Sequence, residues 1–172
     1  MARINESVIN FKVYENANEY YGMAEAALPE ISNMTNEVKG AGISGTFESI
    51  VIGHLEAMTL TLNFRTFTKD AIALLEPRDH NIDLRVAQQD KDTVSGKTVV
   101  TAVKHIFTVK PKKLSAGKVA PASAADASGE YSVTYWATFI NGQKTLEIDI
   151  QNFIYFINGT DYLAEVNRAL GN

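Results

Sequence analysis

Residues 147–171 read EIDIQNFIYFINGTDYLAEVNRALG. Just before and within this stretch, Leu146, Ile148 and Ile150 alternate with Glu147, Asp149 and Gln151, the period of two of a half-buried strand. An apolar run and the turn dipeptide Asn158-Gly159 follow. Tyr162, Leu163, Val166 and Leu170 then recur at helical spacing, with Gly171 as the stop and Thr160 or Asp161 as the expected cap. A chain that ends in one strand, a turn and a short helix has to carry the rest of its sheet upstream.

Strand signals dominate there. Met58, Leu60, Leu62 and Phe64 alternate with Thr59, Thr61 and Asn63, and residues 46–52 are their expected hairpin partner. Val99, Val103, Phe107 and Val109 share one parity within 97–109. Tyr131, Val133, Tyr135, Ala137 and Phe139 share another face, interrupted by Trp136, and Asn141-Gly142 is a hairpin turn leading into the last strand. A shorter strand holds Ile82, Leu84 and Val86. Thr68 caps a short helix predicted to turn Ala71, Ile72, Leu74 and Leu75 to the core, with Pro77 beyond its end. The pattern predicts a mainly β fold, a sandwich or barrel with a flanking short helix.

Two stretches fit this plan less well. Residues 115–129, SAGKVAPASAADASG, have little that could pack and read as a mobile connection between long strands. Residues 22–45 have weak periodicity and several glycines, which suits a loop. Yet Leu28, Ile31, Met34, Val38 and Ile43 are too apolar for a solvated one, which predicts packing against another subunit.

The 172 residues, 45% hydrophobic, suit one domain over 1–172 with a sizeable core. A net charge of −4 offers no overall basic field for nucleic acid or anionic lipid. The charge is unevenly placed: residues 1–60 carry eight acids and three bases, whereas 93–125 carry six lysines and no acid. Without cysteine there are no disulfides and no thiolate metal sites. No apolar stretch approaches the roughly 18–20 residues of a membrane helix. MARINESVINF lacks a signal peptide's apolar segment, so synthesis in a cytoplasm, without export by a signal visible here, is expected.

Catalytic signatures are missing. His54, His80 and His105 sit in unrelated contexts, without two-histidine metal spacing. GAGISG at 40–45 matches a dinucleotide-binding pattern in letters, but lacks the preceding strand and following helix. Glu147 and Asp149 share a strand face and form the one conceivable acid–base pair, for which a solvated or edge-protecting face is the simpler reading. Neither cofactor nor metal is expected.

The closing stretch resembles the C-terminal signature of the major tail tube proteins of contractile-tailed bacteriophages and R-type phage-tail bacteriocins. The matching residues are Glu147, Ile148, Asp149, Asn158, Gly159, Asp161, Leu163, Arg168, Leu170 and Gly171. Leu28-Pro29, KGAGISG at 39–45 and LEAMTLTLNF at 55–64 are similar to that family too, in the same order. The resemblance implies two packed β-sheets with a flanking helix, six subunits closing a ring around a continuous inner β-barrel, and rings stacking into a tube. Its implied partners are further copies of the chain, a sheath, baseplate and tape-measure proteins, and DNA in the lumen of a phage. The implied location is a virion tail or an extracellular bacteriocin particle. A type VI secretion-like tube shares the fold, and a stand-alone β-barrel ligand-binding module is the alternative from another class.

Placing the chain in such a tube gives three expectations. Glu48, Glu56, Thr59, Thr61, Ser132 and Thr134 line the lumen, on segments near 46–64, 97–109 and 130–140, because an acidic or neutral wall lets DNA slide. Leu28, Ile31, Met34, Val38 and Ile43 make contacts between subunits. Lys110, Lys112, Lys113 and Lys118, or alternatively Asp161 and Glu165, meet the sheath through weak surface ion pairs.

Overall fold

The computed structural model describes residues 2–20 and 22–172. Its first strands are β1 (Arg3–Glu15), β2 (Asn18–Tyr20), β3 (Met23–Ala27), β4 (Asn33–Val38), β5 (Phe47–Leu55) and β6 (Met58–Phe64). After helix α1 (Lys69–Ala73) come β7 (His80–Asp92), β8 (Thr98–Ser115), β9 (Ala127–Ile140), β10 (Gln143–Asp149), β11 (Ile154–Ile157), β12 (Thr160–Asp161) and helix α2 (Ala164–Ala169). The fold is mainly β, as expected. A ten-stranded antiparallel sheet runs β12-β11-β10-β9-β8-β7-β1-β2, with β6 and then β3 branching from β9, and β4–β5 form a separate two-stranded ribbon.

The branch lies in β9. Along one edge, its first half (Ala127–Val133) pairs with β6 and its second half (Tyr135–Ile140) pairs with β10, while β8 follows the other edge throughout. The sheet therefore splits into two wings that share one core. β6 supplies Met58, Leu60, Leu62 and Phe64; β1 and β7 supply Val13, Ile82 and Leu84; and Phe107, Tyr131 and Trp136 fill the centre. Complete burial of side chains this large contributes about 1.5–3 kcal/mol each.

A single extra residue makes the branch possible. Thr108 faces Tyr135, but the next pair is Val109 with Val133, which leaves Thr134 as a bulge. Before it, Tyr131 and Val133 point inward; after it, Trp136 and Thr138 do. The expected single face running from Tyr131 to Phe139 is thus corrected: the parity flips at Thr134, and Trp136 stacks on Phe107 with ring centroids 5.4 Å apart.

Other expectations need revision. Residues 46–52 do not pair with the strand that follows: β5 folds back on β4, with Val38 opposite Phe47 and Thr35 opposite Ile50. Residues 22–45 hold two strands rather than one loop, and β3 pairs with β6. Together, β3–β4 and β5–β6 make one long ribbon that bends near Ser32 and Glu56, where Glu56 N–H donates to the Ser32 carbonyl at 2.8 Å. The strand around Ile82 is also longer than foreseen, reaching Asp92. In α1, Thr68 Oγ1 accepts from Ala71 N–H as expected, and Ala71 and Leu74 are buried, but Ile72 and Leu75 face solvent. Leu163, not Thr160 or Asp161, occupies the cap of α2 and makes no side-chain cap bond. The 116–126 connection is held in place by Lys118 N–H to the Ala125 carbonyl and Ala125 N–H to the Arg65 carbonyl.

The Asn-Gly turns are as read. Asn141 and Gly142, and Asn158 and Gly159, all have positive φ, the requirement of a type I′ hairpin turn.

Candidate functional site and assembly surfaces

The wing β3-β6-β9-β8 has two unlike faces. Residues opposite one another in the ladder share a face, so the register reads each side directly. Toward the core stand Met58 with Val133, Leu60 with Tyr131, and Leu62 with Gly129. Away from it stand Thr59 with Ser132, Thr61 with Glu130, and Asn63 with Ser128; Glu25 of β3 joins opposite Asn63, and Lys113 of β8 opposite Glu130. This outer face is polar across all four strands. A sheet face of this kind is at rest against water rather than against a partner's apolar surface.

Of the residues expected in a lumen, Thr59, Thr61 and Ser132 are brought together here. Thr134 sits at the bulge, with its hydroxyl donating to the Thr108 carbonyl at 3.3 Å. Glu56 lies at the bend of the ribbon. Glu48 lies farther along it, opposite Glu37. Two carboxylates facing each other across a ladder repel, which water and distance from other protein make tolerable.

The lysines expected at a sheath share this same face. Lys110 stands opposite Ser132, and Lys112 Nζ donates to Thr59 Oγ1 at 3.4 Å. One polar face cannot both enclose a lumen and meet a sheath, so the two expectations compete at this patch. Lys118 pairs with Asp126 at 3.5 Å in the β8–β9 connection. Asp161 is committed internally, accepting from Tyr155 N–H at 3.2 Å and Leu163 N–H at 3.0 Å. Glu165 is exposed on the first turn of α2.

The ribbon β4–β5 carries apolar residues into solvent. Leu28, Ile31, Met34 and Ile43 are exposed and Val38 is partly so, and Phe47, Ile50, Val51 and Ile52 of β5 add to them. The sequence reading missed these β5 residues, because it paired them with β6 as part of one sheet. Two strands alone are marginal in water. Besides its continuity with β3 and β6, the ribbon approaches the body at Gly53, which faces Leu163.

Other polar side chains are held by partners within the subunit. Glu147 accepts from Tyr135 OH at 2.9 Å and from Lys144 at 2.6 Å, while Asp149 holds the following turn through Gln151 and Asn152. The carboxylates proposed as an acid–base pair are thus each tied to local partners. Burial, then the hydrogen bond to Glu147, pushes the Tyr135 hydroxyl up to about 12. Deep under the sheet, Glu15 receives Tyr20 OH, His80 Nδ1 at 2.5 Å and Arg78 at 3.1 Å, and His80 Nε2 meets the Glu76 carbonyl at 2.9 Å. Burial alone would raise the Glu15 pKa, but the bonds from Tyr20 and His80 and the nearby charges bring it below the ordinary range. His105 is buried against Thr138 and Trp136, and burial lowers its pKa. An open groove of about 730 Å³ runs over β1, β7 and β8, lined by Tyr14, Ala87, Ala102, Ile106 and Phe139 among others.

The family model described as Phage tail tube protein FII matches residues 5–171. The tail tube protein of Escherichia phage P2 is 24% identical over 162 residues, covering 92% of this chain and 93% of that protein. Among solved structures, the sheath/tube terminator of an extracellular contractile injection system, PVC, in its extended state superposes with a TM-score of 0.52 at 13% identity, covering 76% of this chain and 94% of that one. A chain of the PVC sheath-tube complex in the extended state gives a TM-score of 0.48 at 14% identity, covering 75% and 87%. The likeness to the terminator is one of fold. With a family match spanning nearly all residues and the expected C-terminal order of strand, turn and helix, the chain belongs to the phage tail tube protein FII family.

Proposed function

We propose that this tail tube protein acts as a scaffold, not a catalyst, through a single tail-tube domain that closes hexameric rings and stacks them into the conduit of a contractile particle. The observation that carries this reading is the four-stranded wing β3-β6-β9-β8, with one face in the core, a polar face outward and a free edge on either side. Joining such wings edge to edge makes a closed barrel whose wall is polar inside and which leaves no strand edge bare. Thr59, Thr61 and Ser132, with Glu48 and Glu56 along the bent ribbon, then look into the lumen, and Thr134 marks its rim. DNA passes a wall of hydroxyls and mixed charge without being held.

The ribbon β4–β5 extends this wall and lays its apolar residues, including Leu28, Ile31, Met34, Val38 and Ile43, on a neighbouring subunit. A heterologous contact of that kind, repeated without closing, gives a filament. The sheath meets the opposite side, where Glu165 on α2 is exposed, so Lys110, Lys112 and Lys113 are reassigned to the wall. Baseplate and tape-measure proteins set the ends and length of the tube, and the finished particle is a virion tail or an extracellular injection device. Negative-stain electron microscopy of the purified chain is the test: rings or tubes are the expected result. A protein that stays monomeric up to high concentration rules the reading out.

A further inference from the structure

We infer that ring closure joins the free edge of β3 in one subunit to the free edge of β8 at residues 110–115 in the next, with Glu25 of the first set against Lys110 and Lys113 of the second. The inference rests on the ring reading above and specifies its seam. β3 pairs with β6 alone among the described residues. β8 is flanked by β7 only as far as Val109, opposite His80, and beyond that its sole ladder partner is β9. These are the two sides of the same wing.

Their directions fit. β3 is antiparallel to β6, β6 to β9 and β9 to β8, so β3 and β8 run oppositely. When one wing follows another, the neighbour's β3 lies antiparallel to β8, and the alternation continues unbroken around the ring.

Their charges fit as well. Residues 110–115 read KPKKLS, with three lysines and no acid, whereas 22–38 hold Glu25, Glu30 and Glu37 and no base. Lysines and a proline on an exposed edge discourage pairing with a chance strand, because a proline withholds one donor and stacked ammonium groups repel. A strand that brings carboxylates turns that guard into a recognition device. Glu25 lies on the polar face, opposite Asn63, and forms no ion pair among the described residues of its own subunit; Lys113 lies on the same face opposite Glu130.

The test uses the full chain in three forms: Glu25→Lys; Lys110→Glu with Lys113→Glu; and all three together. Each reversal alone sets like charges across the seam and is expected to lower the yield of rings by about a hundredfold. The combined variant is expected to recover most of it. Wild-type yield from Glu25→Lys overturns the seam, as does a combined variant that keeps its native circular dichroism but fails to assemble. Because the chain has no cysteine, Glu25→Cys paired with Lys110→Cys or Lys113→Cys gives an independent readout. Oxidised rings should show covalent oligomers on a non-reducing gel, and monomer bands from both pairs overturn the seam while rings of the wild type keep the tube reading intact. Absence of rings from the wild type itself removes both.

Discussion

Gly53 of β5 lies so close to Leu163 that a Cβ at position 53 would sit 2.3 Å from Leu163 Cδ2. Gly53 also has φ of +72°, where a side chain is strained even in open space. This contact ties the exposed ribbon to the C-terminal segment, so Gly53→Ala should cost about 2–4 kcal/mol from backbone strain and overpacking together. Thermal denaturation measures it. Adding Leu163→Ala should relieve the overpacking but not the strain, so the two changes combine non-additively in a double-mutant cycle.

The buried Glu15 cluster gives the pH dependence a direction. A carboxyl whose folded pKa is depressed contributes stability that is present above its unfolded value of about 4.3 and is lost as pH falls through the folded value. Tyr131 and Tyr135 act at the other end: burial lifts both to about 12, so their contribution is complete below the unfolded value and fades as pH rises toward the folded one. Melting temperature should thus fall at both extremes. Glu15→Gln should flatten the acid limb, and His80→Ala, by leaving Glu15 buried with fewer partners, should cost about 3–5 kcal/mol near neutral pH.

Much of this fold is legible in the sequence wherever strands keep an unbroken period. Met58 to Phe64 alternate without interruption, and the structure follows that alternation residue by residue. β1 hides because its ladder with β7 slips twice, skipping Glu6 and Ile9, so Ile4, Val8, Phe11 and Val13 never form one parity. Its closing turn hides as well, since Asn16 and Ala17 take positive φ without a glycine. β3 and β4 are obscured by the bend after Leu28-Pro29. The polar character of the lumen candidates was readable from Thr59, Thr61 and Ser132, but their meeting with Lys112 was not, because that proximity depends on the pairing of β6, β9 and β8 across more than fifty positions of chain.

Phe47 tests the ribbon. It is exposed in the subunit, opposite Val38, so Phe47→Asp removes little packing there and should leave the melting temperature nearly unchanged. Tube formation should be lost. Normal tubes seen by electron microscopy would mean that the ribbon lies outside the contact.

For the wall, Thr61→Lys combined with Ser132→Lys adds two cations per subunit to the polar face without touching the core. Tubes should still assemble, yet retain DNA in a filter-binding assay at low salt, and release it steeply as salt rises. Binding equal to the wild type would place that face away from the lumen.

Glu165 separates sheath from tube. Glu165→Lys should leave tube yield unchanged and reduce co-assembly with sheath, measured by co-sedimentation. Asp161→Ala should instead destabilise the chain by about 1–3 kcal/mol, since the Tyr155 and Leu163 amides lose their acceptor. Sheathed particles in normal number from Glu165→Lys would send the search for the sheath contact elsewhere on the outer surface.

The regular ladder on either side of the Thr134 bulge makes β9 sensitive to length in a way that composition does not reveal. Deleting that one residue sets Val133 next to Tyr135 opposite Val109 and Thr108, so Trp136 stays inside and only the bulge where β6 gives way to β10 is lost. Deleting Ala137 from the regular part of the ladder instead moves Thr138 opposite Ile106 and Phe139 opposite His105, which turns the end of the strand over. A one-residue loss between Lys118 and Ala125 changes only the reach of a surface connection. Natural variation in chain length should therefore gather in that connection and avoid β9, so insertions or tags intended for this protein belong there.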